Sequence, residues 1–240
     1  MMTPLPDLET ASRATGIAPE KIQLLRDYRE NPRQYNRKNH PFPIELCPTR
    51  SCPLLESFDY AKEHILRIPL RDGRAFEQMW NMRNGAPGAS MRDGLTDLDR
   101  QYAEMFSNIW GIDKTETPEK AKNIRCLIRF GIVKVGQRQK TSSHDTSGFH
   151  YDVLPSPHAI SLVVVNDSPT ECVKPGDLRP SDPDFEKYIT QNNLIIQPPA
   201  MTIYAFGGAI TLHAVGKMQP DPQREAQWKY RCFFTTDLHI

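Results

Sequence analysis

Residues 201–215 have the sequence MTIYAFGGAITLHAV, in which two apolar runs flank the pair Gly207-Gly208. Short runs rich in β-branched and aromatic residues, bounded by glycine, predict strands. The predicted strands are Met201 to Phe206 and Ile210 to Val215. A polar loop and a third apolar run, Trp228 to Thr236, follow them. This order predicts that the C-terminal part of the chain is a β structure.

The β pattern begins near residue 122, and the residues before it have a different pattern. Alternation of apolar residues predicts one long strand over Ile124 to Val135. Helical periodicity predicts helices over Ala18 to Glu30 and Leu98 to Trp110, and Ala75 to Met82 is a further helix candidate. We therefore predict a single domain, residues 1–240, in which residues 1–121 give helical and extended support to a β core at 122–240.

The tripeptide His150-Tyr151-Asp152 indicates a metal site. Residues two apart on a strand project from the same face, so His150 and Asp152 can bind one cation together. His213, on the predicted strand Ile210 to Val215, is the best candidate for a third ligand. Two imidazoles and one carboxylate on one side of an iron leave open positions for a cosubstrate and oxygen, as in non-heme Fe(II) oxygenases.

These residues, with Arg231 on the last apolar strand, resemble the Fe(II)/2-oxoglutarate dioxygenase superfamily over Ile124 to Asp237. The resemblance implies a mainly β fold with N-terminal helices, a double-stranded β-helix or cupin-like jelly roll. It implies that His150, Asp152 and His213 bind Fe(II) and that Arg231 binds the far carboxylate of 2-oxoglutarate. It also implies that O2 is the second cosubstrate and that an unactivated C–H bond is oxidised, most simply by hydroxylation. The tract Leu212 to Val215 with Arg231 looks most like the small bacterial branch that hydroxylates free amino acids.

Two residues compete for the role of 2-oxoglutarate anchor. Arg231 shares one strand face with Phe233, which indicates burial, whereas Arg224 lies in a polar stretch typical of a solvated loop. We therefore prefer Arg231. Tyr204, on the strand before His213, is a candidate hydrogen-bond donor to the cosubstrate, although a packed core tyrosine is the commoner outcome.

Four cations are candidates for binding a substrate carboxylate. Two of them, Arg125 and Arg129, lie on the strand Ile124 to Val135, either on the outer face of the sheet or inside the barrel. The other two, Arg138 and Lys140, lie in the polar loop that leads to His150. Together with the resemblance to amino-acid hydroxylases, these cations favour a small, carboxylate-bearing substrate such as an amino acid or a natural-product intermediate.

The composition favours a function that involves a small molecule. The chain has 30 Lys and Arg against 29 Asp and Glu, a net charge of +1, which gives no electrostatic attraction to nucleic acid or an anionic membrane. No apolar run is as long as the roughly 20 residues of a membrane-spanning helix, and the N-terminus lacks a signal pattern. Five scattered cysteines favour a reducing compartment. We expect a soluble, cytoplasmic protein, and the sequence sets no oligomeric state.

Two other function classes remain open at this stage. One is a cupin-like metalloenzyme that does not use 2-oxoglutarate, against which the carboxylate of Asp152 counts because such enzymes usually bind metal through more histidines. The other is a jelly-roll binding module without catalytic activity. Such a module would not need three metal-ligating side chains to converge.

Overall fold

The structure is a computed structural model that describes residues 4–48, 51, 78–81, 104–111, 124–134, 136, 148–153, 157–165, 170–217 and 228–238. Its N-terminal part contains helices α1, Leu8–Thr15, and α2, Pro19–Glu30, followed by a 3-10 turn at Pro32–Gln34. Asp7 caps α1 by accepting a hydrogen bond from Thr10 N at 2.7 Å. The prediction of α2 is confirmed, while α1 was not predicted from periodicity.

A third helix, α3, covers residues 104–110 and is joined to α2 by arginine side chains. Arg26 is 8% exposed and donates to the carbonyl oxygens of Ile109 at 2.8 Å and Asn108 at 3.1 Å. Arg29 donates to the carbonyl of Trp110 at 2.8 Å. The last carbonyls of a helix have no partner within the helix, so these arginines supply the missing donors. Residues 98–103 of the predicted helix lie outside the described residues.

Six described strands form a large antiparallel sheet. They are β1 (Ile44–Pro48), β2 (Gln78–Asn81), β3 (Ile124–Lys134), β4 (Ile160–Val165), β7 (Thr202–Phe206) and β9 (Trp228–Leu238). Their order across the sheet is β1-β7-β4-β9-β3-β2. The long strands β3 and β9 pair over their whole length, from Ile124 opposite Leu238 to Lys134 opposite Trp228.

A small sheet of three strands lies against the large one. It contains β5 (Thr170–Val173), β6 (Ile195–Ile196) and β8 (His213–Val215) in the order β6-β5-β8. A short helix, α4 (Phe185–Gln191), buries Phe185 and Ile189 in a cluster with Val173 and Leu212, which covers the outer side of this sheet.

The pairing register shows that the two faces of the large sheet have different neighbours. Residues directly opposite in antiparallel strands share a face. Val163 and Tyr204 are opposite each other and pack with Phe206 and with Cys172 of the small sheet, so this is the inner face. On the other face, Cys47 Sγ lies 4.0 Å from the carbonyl oxygen of Thr15 at the end of α1. The N-terminal helices therefore adjoin the face that is remote from the small sheet.

Two predictions of secondary structure are wrong. Residues 78–81, within the predicted helix Ala75 to Met82, form strand β2, because Gln78 to Asn81 complete the sheet beside β3. The strand predicted from Ile210 begins only at His213, because the N–H groups of Ile210 and Thr211 both donate to Gly207 O in a turn. Among the described residues, no helix is long and apolar enough to cross a bilayer.

Candidate metal centre

The structure brings together the three side chains predicted to bind metal. One ligand atom from each of His150, Asp152 and His213 lies within 4.8 Å of the others. Asp152 Oδ1 is 3.7 Å from His150 Nε2 and 3.6 Å from His213 Nε2. In the part of the chain that the structure describes, this is the one group of at least three His, Cys, Asp or Glu residues with such geometry. The donor set of two imidazoles and one carboxylate suits a divalent transition metal such as Fe(II).

Backbone hydrogen bonds position all three ligands. His150 and His213 exchange a pair of bonds, His150 N to His213 O at 2.9 Å and His213 N to His150 O at 3.0 Å. Asp152 N donates to Gly208 O at 2.9 Å. The expectation that His150 and Asp152 lie on one regular strand is wrong, because His150 forms only an isolated bridge with His213. The Asp152 backbone is instead held by the turn at Gly208.

The histidine rings are oriented for coordination through Nε2. His150 Nδ1 is 3.2 Å from the carbonyl oxygen of Gly148, and His213 Nδ1 is 3.0 Å from that of Thr211. A carbonyl oxygen can only accept, so each Nδ1 carries the proton and each Nε2 presents a lone pair. Such outer hydrogen bonds fix the tautomer and ring direction of metal-bound histidines. Both Nε2 atoms then face the same carboxylate oxygen, Asp152 Oδ1.

The centre is accessible on the side of Asp152. The side chains of Asp152 and His150 are 34% and 29% exposed, whereas that of His213 is 11% exposed. Val153, next to Asp152, is fully exposed. A metal held here would therefore have protein on the His213 side and an approach for small molecules on the other.

Gly208 provides the space that the Asp152 carboxylate occupies. A Cβ atom at this position would overlap Asp152 Oδ2 and come within 3.0 Å of Cγ. The preceding glycine also makes a close approach, since a Cβ at Gly207 would lie 2.9 Å from the ring of Phe42. The Gly207-Gly208 pair was predicted only as a turn, and its role in placing a metal ligand was missed.

We expect Gly208→Ala to lower iron affinity by about 10- to 100-fold, the usual effect of disturbing the surroundings of a metal ligand. The added methyl group would displace the Asp152 carboxylate, and Gly208 does not have the left-handed φ that would strain alanine. Gly176→Ala is the matched control, because a Cβ there makes ordinary contacts with Leu178 at 3.7 and 3.9 Å. Iron titration of the two variants measures the effect. Equal affinity in Gly208→Ala and the wild type would contradict it.

Aromatic residues surround the ligands on both sides. Tyr151, between His150 and Asp152, packs against the cluster under α4, and the Arg37 guanidinium lies 3.9 Å from its ring centroid. Burial raises the pKa of Tyr151, and the charge of Arg37 opposes that rise. On the inner side, the Phe206 ring meets the His213 ring edge-on at 4.6 Å. These contacts hold the ligand-bearing segments from two directions.

Tyr204 lies in the buried core between the sheets. It is 2% exposed and packs with Val163, Cys172 and Phe206. Its ring centroid is 6.5 Å from that of Phe206, which contacts His213. Tyr204 is therefore separated from the histidine by one aromatic ring, and donation to a cosubstrate stays a prediction.

The register places the strand arginines on the inner face of the large sheet. Phe233 is opposite Val165 and Arg129, so positions 129, 231 and 233 share the face of Val163. Position 125, opposite Asp237, is on this face too, and substrate binding by Arg125 or Arg129 stays a prediction. Position 231 is opposite Gly131. The other three cations discussed above, Arg138, Lys140 and Arg224, lie outside the described residues.

No family model matches this chain, and no curated protein matches it in sequence. Several solved structures are similar to it. A prolyl-4-hydroxylase from Pseudomonas putida has 12% identity and a TM-score of 0.40 over 78% of this chain and 87% of its own. A full-length Neurospora crassa protein, solved in complex with alpha-KG, has 12% identity and a TM-score of 0.43 over 97% of this chain and 79% of its own.

A third similar structure is an oxidoreductase of the 2OG-Fe(II) oxygenase family from Burkholderia pseudomallei. It has 12% identity and a TM-score of 0.39 over 76% of this chain and 78% of its own. Its name is that of the superfamily that the sequence resembles. At TM-scores below 0.5 these are likenesses only, and the assignment of function rests on the geometry of the centre.

Proposed function

We propose that this protein is a non-heme Fe(II)/2-oxoglutarate-dependent oxygenase acting on a small molecule that carries a carboxylate. The observation that carries this proposal is the convergence of His150 Nε2, His213 Nε2 and an Asp152 carboxylate oxygen within 4.8 Å. Two histidines and one carboxylate on one side of the metal leave positions for a chelating cosubstrate and for O2. The exposure of Asp152 gives these molecules a route to the centre.

The strand order supports a jelly roll as the core, residues 122–240, with residues 1–121 as its support. From β4 to β9 the chain passes repeatedly between the sheets: β4 is in the large sheet, β5 and β6 in the small, β7 in the large, β8 in the small and β9 in the large. The His150 bridge adds a further segment beside β8. Alternation of this kind is the arrangement expected of a double-stranded β-helix.

The protein residues have separate tasks in this function. His150, Asp152 and His213 would hold Fe(II), while their backbone and Nδ1 bonds keep the donor atoms aligned. Arg231 would bind the far carboxylate of 2-oxoglutarate by a charge-assisted contact on the inner face, with Tyr204 as a further polar group there. The chemistry that iron, 2-oxoglutarate and O2 supply together is oxidation of an unactivated C–H bond, with 2-oxoglutarate converted to succinate and CO2. Hydroxylation is its simplest outcome.

A cupin-like metalloenzyme without 2-oxoglutarate is the second candidate, and one assay separates the two. We expect the Fe(II)-loaded protein to form succinate from 2-oxoglutarate under air, and small acids and amino acids to accelerate this. Asp184→Ala, which removes an exposed aspartate remote in sequence from the ligands, serves as a control with unchanged rate. Absence of succinate with every member of the panel, in protein that binds iron, would favour the second candidate.

A further inference from the structure

Residues 37–42 of the N-terminal half lie against both parts of the chain that bear the metal ligands. The Arg37 guanidinium is 3.9 Å from the ring centroid of Tyr151, which stands between two of the ligands in the sequence. The ring of Phe42 lies against the turn before His213, since a Cβ atom at Gly207 would be only 2.9 Å from it. The sequence predicted a supporting role for this half, and these contacts connect that support with the metal centre.

Phe42 packs between helix α2 and this turn. It is 1% exposed, the Tyr28 ring of α2 meets its ring edge-on at 4.9 Å, and the His40 ring is stacked at 6.2 Å. Its ring atoms Cε2 and Cδ2 would lie 2.9 and 3.0 Å from a Cβ at Gly207, closer than ordinary van der Waals contact. The ring therefore occupies the space that a side chain at position 207 would need.

The turn at residues 207–211 supports two of the three ligands. It is closed by Gly207 O, which accepts a hydrogen bond from Thr211 N at 2.8 Å. Gly208 O accepts from Asp152 N at 2.9 Å, and Thr211 O is 3.0 Å from His213 Nδ1. A shift of this turn would therefore move the backbone of Asp152 and the acceptor that orients the His213 ring.

We propose that Phe42 is a positioning residue of the metal centre, whose ring holds the turn at residues 207–211 where Asp152 and His213 require it. The ring acts through the turn and touches neither metal nor substrate. Packed interiors relax only partly around a void, so the loss of ring atoms leaves the turn without support on this side. The inference rests on the proposed function in that it takes this centre as the iron site.

Anaerobic titration of the full-length protein with Fe(II) tests the inference. Phe42→Leu should raise the Kd for iron about 10-fold, the lower end of the usual range for residues that support metal ligands. Phe106→Leu is the matched control, because Phe106 of α3 is also 1% exposed but stacks on Trp110. Both variants should lose thermal stability without metal, since each leaves a similar void. Only Phe42→Leu should change the Kd, which does not depend on how much of the protein is correctly folded.

A second variant at the same contact gives a further readout. Gly207→Ala adds a methyl group against the Phe42 ring and should raise the Kd for iron at least about 10-fold. Gly207 does not have the left-handed φ that would strain alanine. Combination with Phe42→Leu gives the methyl group space, so the double variant should bind iron at least about 3-fold more tightly than Gly207→Ala alone.

Three results would count against a positioning role. An unchanged Kd in Phe42→Leu would overturn the inference, and so would equal losses of affinity in Phe42→Leu and Phe106→Leu. Losses that simply add in the double variant would also overturn it, because Phe42 and the turn would then act independently. A wild-type protein that binds no iron would overturn the proposed function together with the inference, which distinguishes that failure from the other three.

Discussion

Asp152→Ala is expected to lose bound iron and to reduce succinate formation by well over 100-fold. Disturbing the surroundings of a metal ligand costs about 10- to 100-fold, and removal of the ligand itself should exceed this. Without the carboxylate, the two Nε2 atoms remain but the charged donor that lies 3.6 to 3.7 Å from both is gone. His150→Ala and His213→Ala should have the same effect. Metal analysis of the purified proteins and the succinate assay measure both quantities.

The fold should survive this substitution, because the Asp152 side chain is one-third exposed. Asp184→Ala controls for the general loss of an aspartate, and should bind iron as the wild type does. Unchanged iron content and activity in Asp152→Ala would show that the metal centre is assigned to the wrong residues.

Arg231→Ala should raise the concentration of 2-oxoglutarate needed for half-maximal rate by about 10- to 150-fold. This range corresponds to the roughly 1.5 to 3 kcal/mol that a hydrogen bond to a charged group contributes. By register, position 231 shares the inner face with Val163, and the substitution removes the guanidinium without adding bulk. A 2-oxoglutarate titration at saturating Fe(II) measures the change.

Arg224→Ala is the informative companion to this variant, because the two arginines are the competing anchors in the sequence. It should leave the 2-oxoglutarate requirement within about 2-fold of the wild type, because the sequence predicts that Arg224 lies in a solvated loop. The reverse result, a large effect at Arg224 and a small one at Arg231, would transfer the anchor to Arg224.

The metal ligands could be predicted from sequence because each has a local signal. His150 and Asp152 are two residues apart, and His213 lies in an apolar run that follows a glycine turn. Alternation along residues 124–135 and 228–236 predicted which positions share a face, and the register puts positions 125, 129 and 231 on the same face. The inner face could be identified only from the pairing of β9 with β4, which is a contact between residues distant in sequence.

Other features depend on contacts that no local pattern records. Strand β2 has four residues and is defined by its pairing with β3, so helical periodicity over residues 75–82 was misleading. The role of Gly208 depends on its approach to Asp152, more than 50 residues earlier in the chain. The same holds for the carbonyls of Gly148 and Thr211, since a carbonyl that orients a histidine has no residue-type signature. The sequence therefore predicts the metal-ligating residues, and only the tertiary contacts show how these residues are positioned.

The most direct test of the central claim is anaerobic addition of Fe(II) and 2-oxoglutarate, followed by visible absorption spectroscopy. We predict a weak metal-to-ligand charge-transfer band that saturates at one equivalent of iron, and that requires both additions because both bind one centre. Asp152→Ala should not develop it. Absence of the band in wild-type protein that equilibrium dialysis shows to bind both iron and 2-oxoglutarate would contradict the account.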